Sequence, residues 1–145
     1  MPGWVREPYE DYVTRLGSAL KVELTQIEAG ARSAARSARS AMQAEGKRIL
    51  AAVRKDDYVV TLDERGSQMT TRELAGWLGT RMQQGRDVAF LIGGPDGFAP
   101  EVLARGNFRW SLSKLTFPHA LVRVILAEQL YRAHGVLTNH PYHRD

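Results

Sequence analysis

The stretch NHPYHRD, Asn139 to Asp145, packs two histidines, a tyrosine, an arginine and an aspartate into the residues that follow a long apolar helical pattern. Chain ends ordinarily fray and tolerate change, so chemistry this dense calls for a reason. A metal is the first candidate, since His140 and His143 have HxxH spacing with Asp145 close behind. Zinc needs ligands that converge from a rigid backbone, and these two sit on a loop with Pro141 between them, so no metal is expected. A serine triad would need a nucleophile elbow, and none occurs. GGPDG, Gly93 to Gly97, lacks both the Lys-Ser/Thr of a P-loop and the G-x-G-x-x-G of a dinucleotide site. Adjacent glycines at a strand end let a backbone approach a ligand closely, although a plain strand-to-helix turn would use the same residues. SLSKLTFPH, Ser111 to His119, interleaves hydroxyls with Leu112, Leu115 and Phe117. Such a segment can sandwich an adenine between apolar side chains while main-chain groups read its edge, or it can simply be a last strand and a helix cap.

These stretches need elements to position them. Trp4, Tyr9, Tyr12, Val13 and Leu16 recur at helical spacing, with Pro8 expected in the first turn and Gly17 near the stop. KVELTQIEA, with Val22 and Leu24 alternating, predicts a strand. Gly30 to Val53 opens as an Ala/Arg/Ser stretch, whose arginines suit either a solvated helix start or an RNA-contacting arm, and turns helical by Met42, Ile49 and Leu50. Tyr58 to Glu64 predicts a strand. A helix follows, with Thr70 or Thr71 as N-cap and Leu74, Trp77, Leu78 and Met82 on one face. DVAFLI is apolar at successive positions, which predicts a strand buried on both faces. A short helix around Glu101 to Leu103 and a strand-like FRWSLS come next, then a helix from Pro118 to about Ala133. In that last helix Glu128 and Arg132 are spaced to pair, while Arg123 has no such partner and is the better functional candidate. Its nearly all-round apolar surface predicts burial against a second subunit.

Strands alternating with helices indicate an α/β fold with a mainly parallel sheet, whose ligands lie beyond the carboxyl ends of the strands. The chain of 145 residues suits one domain, 1–145, with 43% hydrophobic and 25% charged residues. It has no cysteine, which excludes disulfides, thiolate metal sites and cysteine nucleophiles. No run approaches the ~18 apolar residues that would span a bilayer, so no membrane partner and a cytoplasmic location are expected. Twenty Lys and Arg against 16 Asp and Glu give a net charge of +4, which favours a polyanionic partner such as RNA.

Taken together, TLDERG, FLIGGPDGF, SLSKLTFPHALVRVILAEQLYRA and TNHPYHRD resemble the SPOUT-class 23S rRNA pseudouridine N3-methyltransferase family, in order and along essentially the whole chain. The resemblance implies a homodimer with a C-terminal trefoil knot and S-adenosylmethionine as methyl donor. By position, the donor site would take Leu62, Gly93, Leu112, Ser113, Lys114, Leu115, Thr116 and Phe117. The implied substrate is a pseudouridine in the helix 69 hairpin of 23S rRNA, on the assembled ribosome. In that setting the tail would sit by the donor site and reach toward the substrate of the partner protomer. His143 is then expected to accept the N3 proton, Arg144 to clamp phosphate or the base anion, and Tyr142 to stack on or hydrogen-bond the base, with Arg123 a further candidate. Members of this family begin with a further strand ahead of the position of Met1, and its absence would leave neighbouring strands with unpaired backbone groups. Two rivals remain: an impaired relative that binds nucleotide or RNA as a dimer without turnover, and a tRNA-directed methyltransferase.

Overall fold

The computed structural model describes residues 1–27, 37–94 and 96–144. Along the chain run α1 (Gly3–Leu16), α2 (Ala38–Ala52), β1 (Tyr58–Ser67), α3 (Thr71–Gln84), β2 (Val88–Ile92), α4 (Pro100–Arg105), β3 (Phe108–Trp110) and α5 (His119–Leu137). They form two compact units, one of residues 1–24, 69–85 and 117–145, the other of 25–68 and 86–116.

The second unit holds the sheet, in the order β2-β1-β3 with both pairings parallel, as the alternation of strands and helices requires. Val59, Val60 and Thr61 of the central β1 are almost completely buried. β2, expected to be buried on both faces, is half-buried at every position, and among the described residues its one strand neighbour is β1. FRWSLS contributes only its first three residues to β3. Beside the sheet, Ile49, Ala99 and Val102 form a core on which Met42, Leu50, Leu91 and Phe98 pack. α2 begins where the Ser37 side chain accepts the Ser40 N–H, at 3.2 Å. The arginine-rich stretch before Ser37 lies outside the described residues.

In the first unit α5 packs against both α1 and α3. Thr70 caps α3 with a full capping box: its hydroxyl accepts the Glu73 N–H at 3.1 Å, and the Glu73 carboxylate accepts the Thr70 N–H at 2.9 Å. Pro8 lies inside α1 rather than in its first turn. The bond it forfeits would have ended on the carbonyl of Trp4, a residue 65% exposed, where water can take its place. α5 runs on to Leu137, past the expected end near Ala133, and stops where Asn139 adopts a φ of 59° with Pro141 just beyond.

The strand expected at KVELTQIEA does not form over residues 21–27, and the rest of that stretch lies outside the described residues. Alternation stabilises a strand only when one face is buried. Here Leu24 is 45% exposed, so that face is not buried. Among the described residues no helix is long and apolar enough to cross a membrane.

Candidate active site

Parallel strands all end at the same edge of a sheet, and here the register makes this concrete. Leu62 pairs with Ile92 on one side and Trp110 on the other, so the segments beginning at Asp63, Gly93 and Ser111 set out side by side. The first bulges: β1 loses register between Leu62 and Ser67, both of which pair with Trp110. Inside the bulge Asp63 accepts the Arg65 N–H at 2.9 Å, and its other oxygen lies 3.8 Å from Nε of Arg109. Gly66 sits so close to β3 that a Cβ there would be 2.6 Å from the Arg109 carbonyl oxygen.

The second segment turns back on itself, the Gly97 N–H donating to the Gly94 carbonyl at 3.1 Å with a φ of +81° that glycine adopts without strain. Its entry is fixed from α2, where the half-buried Glu45 carboxylate accepts the Gly94 N–H at 3.3 Å. The third is organised by hydroxyls. Ser111, 1% exposed, donates to the Ser113 carbonyl at 2.8 Å, and the Ser113 hydroxyl accepts the Leu115 N–H at 3.0 Å. Thr116 then donates to the Glu64 carboxylate at 2.6 Å, which ties the third segment to the first. Leu62, Gly93, Leu112 and Ser113 are half-buried, whereas Lys114, Leu115 and Thr116 are exposed. An apolar side chain 69% exposed at Leu115, beside a hydroxyl-pinned backbone, suits a ligand that is part ring and part polar. Phe117, half-buried, follows in the chain.

The first unit carries the tail. The Tyr142 hydroxyl donates to Oε1 of Glu128 at 3.1 Å and lies 3.5 Å from the Tyr12 hydroxyl. Its ring meets Tyr131 edge-on with centroids 4.6 Å apart, and the Arg132 guanidinium lies 4.6 Å from its centre. Arg132 bonds Glu128 through Nε at 2.8 Å and Nη2 at 2.7 Å, and meets Nδ1 of His143 through Nη1 at 3.1 Å. Burial works against the Arg132 charge, but the hydrogen bond and attraction of Glu128 outweigh it and raise its pKa. His140 is held too: its N–H donates to the Gly135 carbonyl at 2.8 Å, and its Nδ1 accepts the Tyr142 N–H at 3.3 Å. Arg144 stays exposed.

The structure thus brings Tyr142 and His143 together and leaves Arg144 open. Arg123 is half-buried elsewhere on α5, where its charge partly offsets the burial that raises the Tyr9 pKa. Sequence spacing reads Glu128 and Arg132 as a surface pair. The pair forms, but Arg132 also gathers the tail, a role that spacing within one helix cannot reveal. The described residues contain no group of three His, Asp or Glu placed to hold a metal.

A sheet edge where three segments start side by side, one glycine-rich and one hydroxyl-rich, is where an α/β fold places its ligands, and a family model described as "Predicted SPOUT methyltransferase" matches residues 1–143. The chain belongs to the SPOUT methyltransferase family, whose methyl donor is S-adenosylmethionine. Among curated proteins it is 53% identical over 148 residues to "Ribosomal RNA large subunit methyltransferase H" of Alkalilimnicola ehrlichii. It is 51% identical over 144 residues to the protein of that name from Paraburkholderia xenovorans, and 50% over 143 residues to that from Stenotrophomonas maltophilia. Each alignment covers 99% of this chain and 92% of the relative.

Proposed function

We propose that this chain, as a single domain over 1–145, methylates N3 of a pseudouridine in the helix 69 hairpin of 23S rRNA. It acts in the cytoplasm as a knotted homodimer on the assembled ribosome. Leu62, Gly93 and Leu112 to Thr116 hold S-adenosylmethionine, with Phe117 assigned by its place in the chain. The observation that carries the donor site is the register of Leu62 with Ile92 and Trp110, which starts three candidate segments at one sheet edge. The residues suit the donor: Leu62, Leu112 and Leu115 offer apolar surface to a purine, and the glycine turn presents backbone. The names of the relatives supply the substrate class. The dimer reading rests on α5, where Leu121 to Ile125 stay half-buried in the single chain.

S-adenosylmethionine supplies an electrophilic methyl group on a sulfonium. The residues of this chain have two tasks. N3 of pseudouridine carries a proton at neutral pH, so that proton must leave and the anionic base must be stabilised. His143 takes it at Nδ1, the ring nitrogen that carries no proton while Arg132 donates to it, and Arg132 gives up that contact as the proton arrives. Arg144, exposed at the end of the described chain, offers its charge to the base anion or a flanking phosphate, and Tyr142 presents its ring to the base. Arg123 is the fourth candidate, through its charge near Tyr9.

The test is transfer from methyl-labelled S-adenosylmethionine to ribosomes that lack the modification, with bulk tRNA as competing acceptor. Label in the helix 69 pseudouridine establishes the proposal, and label in tRNA moves the substrate. Donor binding without label in either acceptor reduces the protein to a binding module. Deleting Asn139 to Asp145 is expected to abolish transfer and spare donor binding; unchanged transfer removes the tail from the site.

A further inference from the structure

We infer that Arg132, held by Glu128, is a positioning residue that sets Tyr142 and His143 of the tail for methyl transfer. The inference rests on the proposed role of the tail and goes beyond it by naming what aims the tail. The geometry is a closed ring. Glu128 Oε1 receives Nε and Nη2 of Arg132 and the Tyr142 hydroxyl, and the Arg132 guanidinium in turn lies against the Tyr142 ring. The other carboxylate oxygen accepts Nε2 of Gln129 at 2.6 Å, and the Thr71 hydroxyl donates to Gln129 at 3.2 Å, which anchors the ring to the start of α3.

Arginine offers only donors, so its contact with His143 makes Nδ1 the acceptor and places the imidazole proton on Nε2. One side chain therefore fixes the ring of Tyr142, the orientation of His143 and the tautomer of His143. A planar fork can do this because its nitrogens point in different directions. A lysine keeps the charge but has one nitrogen at the end of a flexible stem. Arg132 is half-buried among these partners, unlike the exposed Arg144, which fits a residue that works through its neighbours.

Arg132→Lys and Glu128→Gln, assayed beside the tail deletion, test this. For R132K, kcat is expected to fall by about tenfold to a hundredfold, the effect of a small misplacement of reacting groups, with donor Kd unchanged. E128Q keeps one acceptor oxygen, so its loss should be smaller than that of R132K. Its Tyr142 should also ionise at lower pH in a spectrophotometric titration, because the carboxylate that disfavours the phenolate is gone. Wild-type kcat in R132K would show that charge alone suffices and would overturn the inference, as would an unmoved tyrosine titration in E128Q. Equal losses of kcat and donor affinity in R132K would also overturn it, by revealing general damage. An active tail deletion defeats the tail reading itself, whereas an inactive deletion beside a fully active R132K defeats only this inference.

Discussion

Tyr142 is held neutral above the usual tyrosine range, first by burial, then by the nearby Tyr12 hydroxyl and by the charge and hydrogen bond of Glu128. An acid whose pKa is raised by folding keeps its proton in the native state after the unfolded chain has lost it. Its stabilising contribution is therefore intact below about pH 10 and declines above it. Urea unfolding between neutral pH and pH 11 should show the wild type losing stability more steeply than Tyr142→Phe. Thr70→Ala removes the reciprocal cap of α3 and should cost about 1 kcal/mol in the same assay, with donor binding intact. If Arg144 meets a phosphate, Arg144→Ala should lower the slope of log K for ribosome binding against log salt by about one. At this scale the sequence is half legible. Thr70 and Glu73 announce their cap because both partners lie within one turn, whereas the docking of Tyr142 on Arg132 joins a helix to a coil, and no periodicity encodes that.

The elements that bear the site were readable where local chemistry decides them, and misread where tertiary pairing does. β1 and β2 follow from their β-branched and apolar runs, yet β2 is half-buried with β1 as its one strand neighbour among the described residues, which composition does not record. KVELTQI alternates like a strand but pairs with no strand among the described residues, and α1 absorbs Pro8 because its orphaned carbonyl lies near solvent. The bulge after Leu62 was hidden as well, since the strand was expected to end at Glu64, short of the second pairing at Ser67. Gly66 is its sensitive point. In Gly66→Ala the added methyl would meet the backbone of Arg109 at 2.6 Å, and neither strand can yield without breaking register. A loss of about 1–3 kcal/mol is expected, together with weaker donor binding by calorimetry, because Asp63 and Glu64 leave the bulge displaced.

For the whole chain, charge and composition alone favoured an anionic partner, and only four motifs in order made the family legible. The proposed knot would depend on how finished elements thread, so no hydrophobic period announces it, whereas the proposed subunit pairing does have a sequence signal in the all-round apolar pattern of α5. Dimer formation is open to direct measurement: sedimentation at increasing protein concentration should show a two-chain species, and a strictly single-chain species would remove the homodimer from the proposal.

The anchoring of the tail has a further consequence, and it is kinetic. With His140, Tyr142 and His143 each bonded to α5, the segment is partly ordered before any ligand arrives. A loose arm would order itself only on contact, and that entropy would be subtracted from the affinity of every encounter. If the tail contacts the substrate as proposed, the substrate meets a surface already formed, and capture should proceed at a rate set by encounter and ionic strength, with no slow folding step after contact.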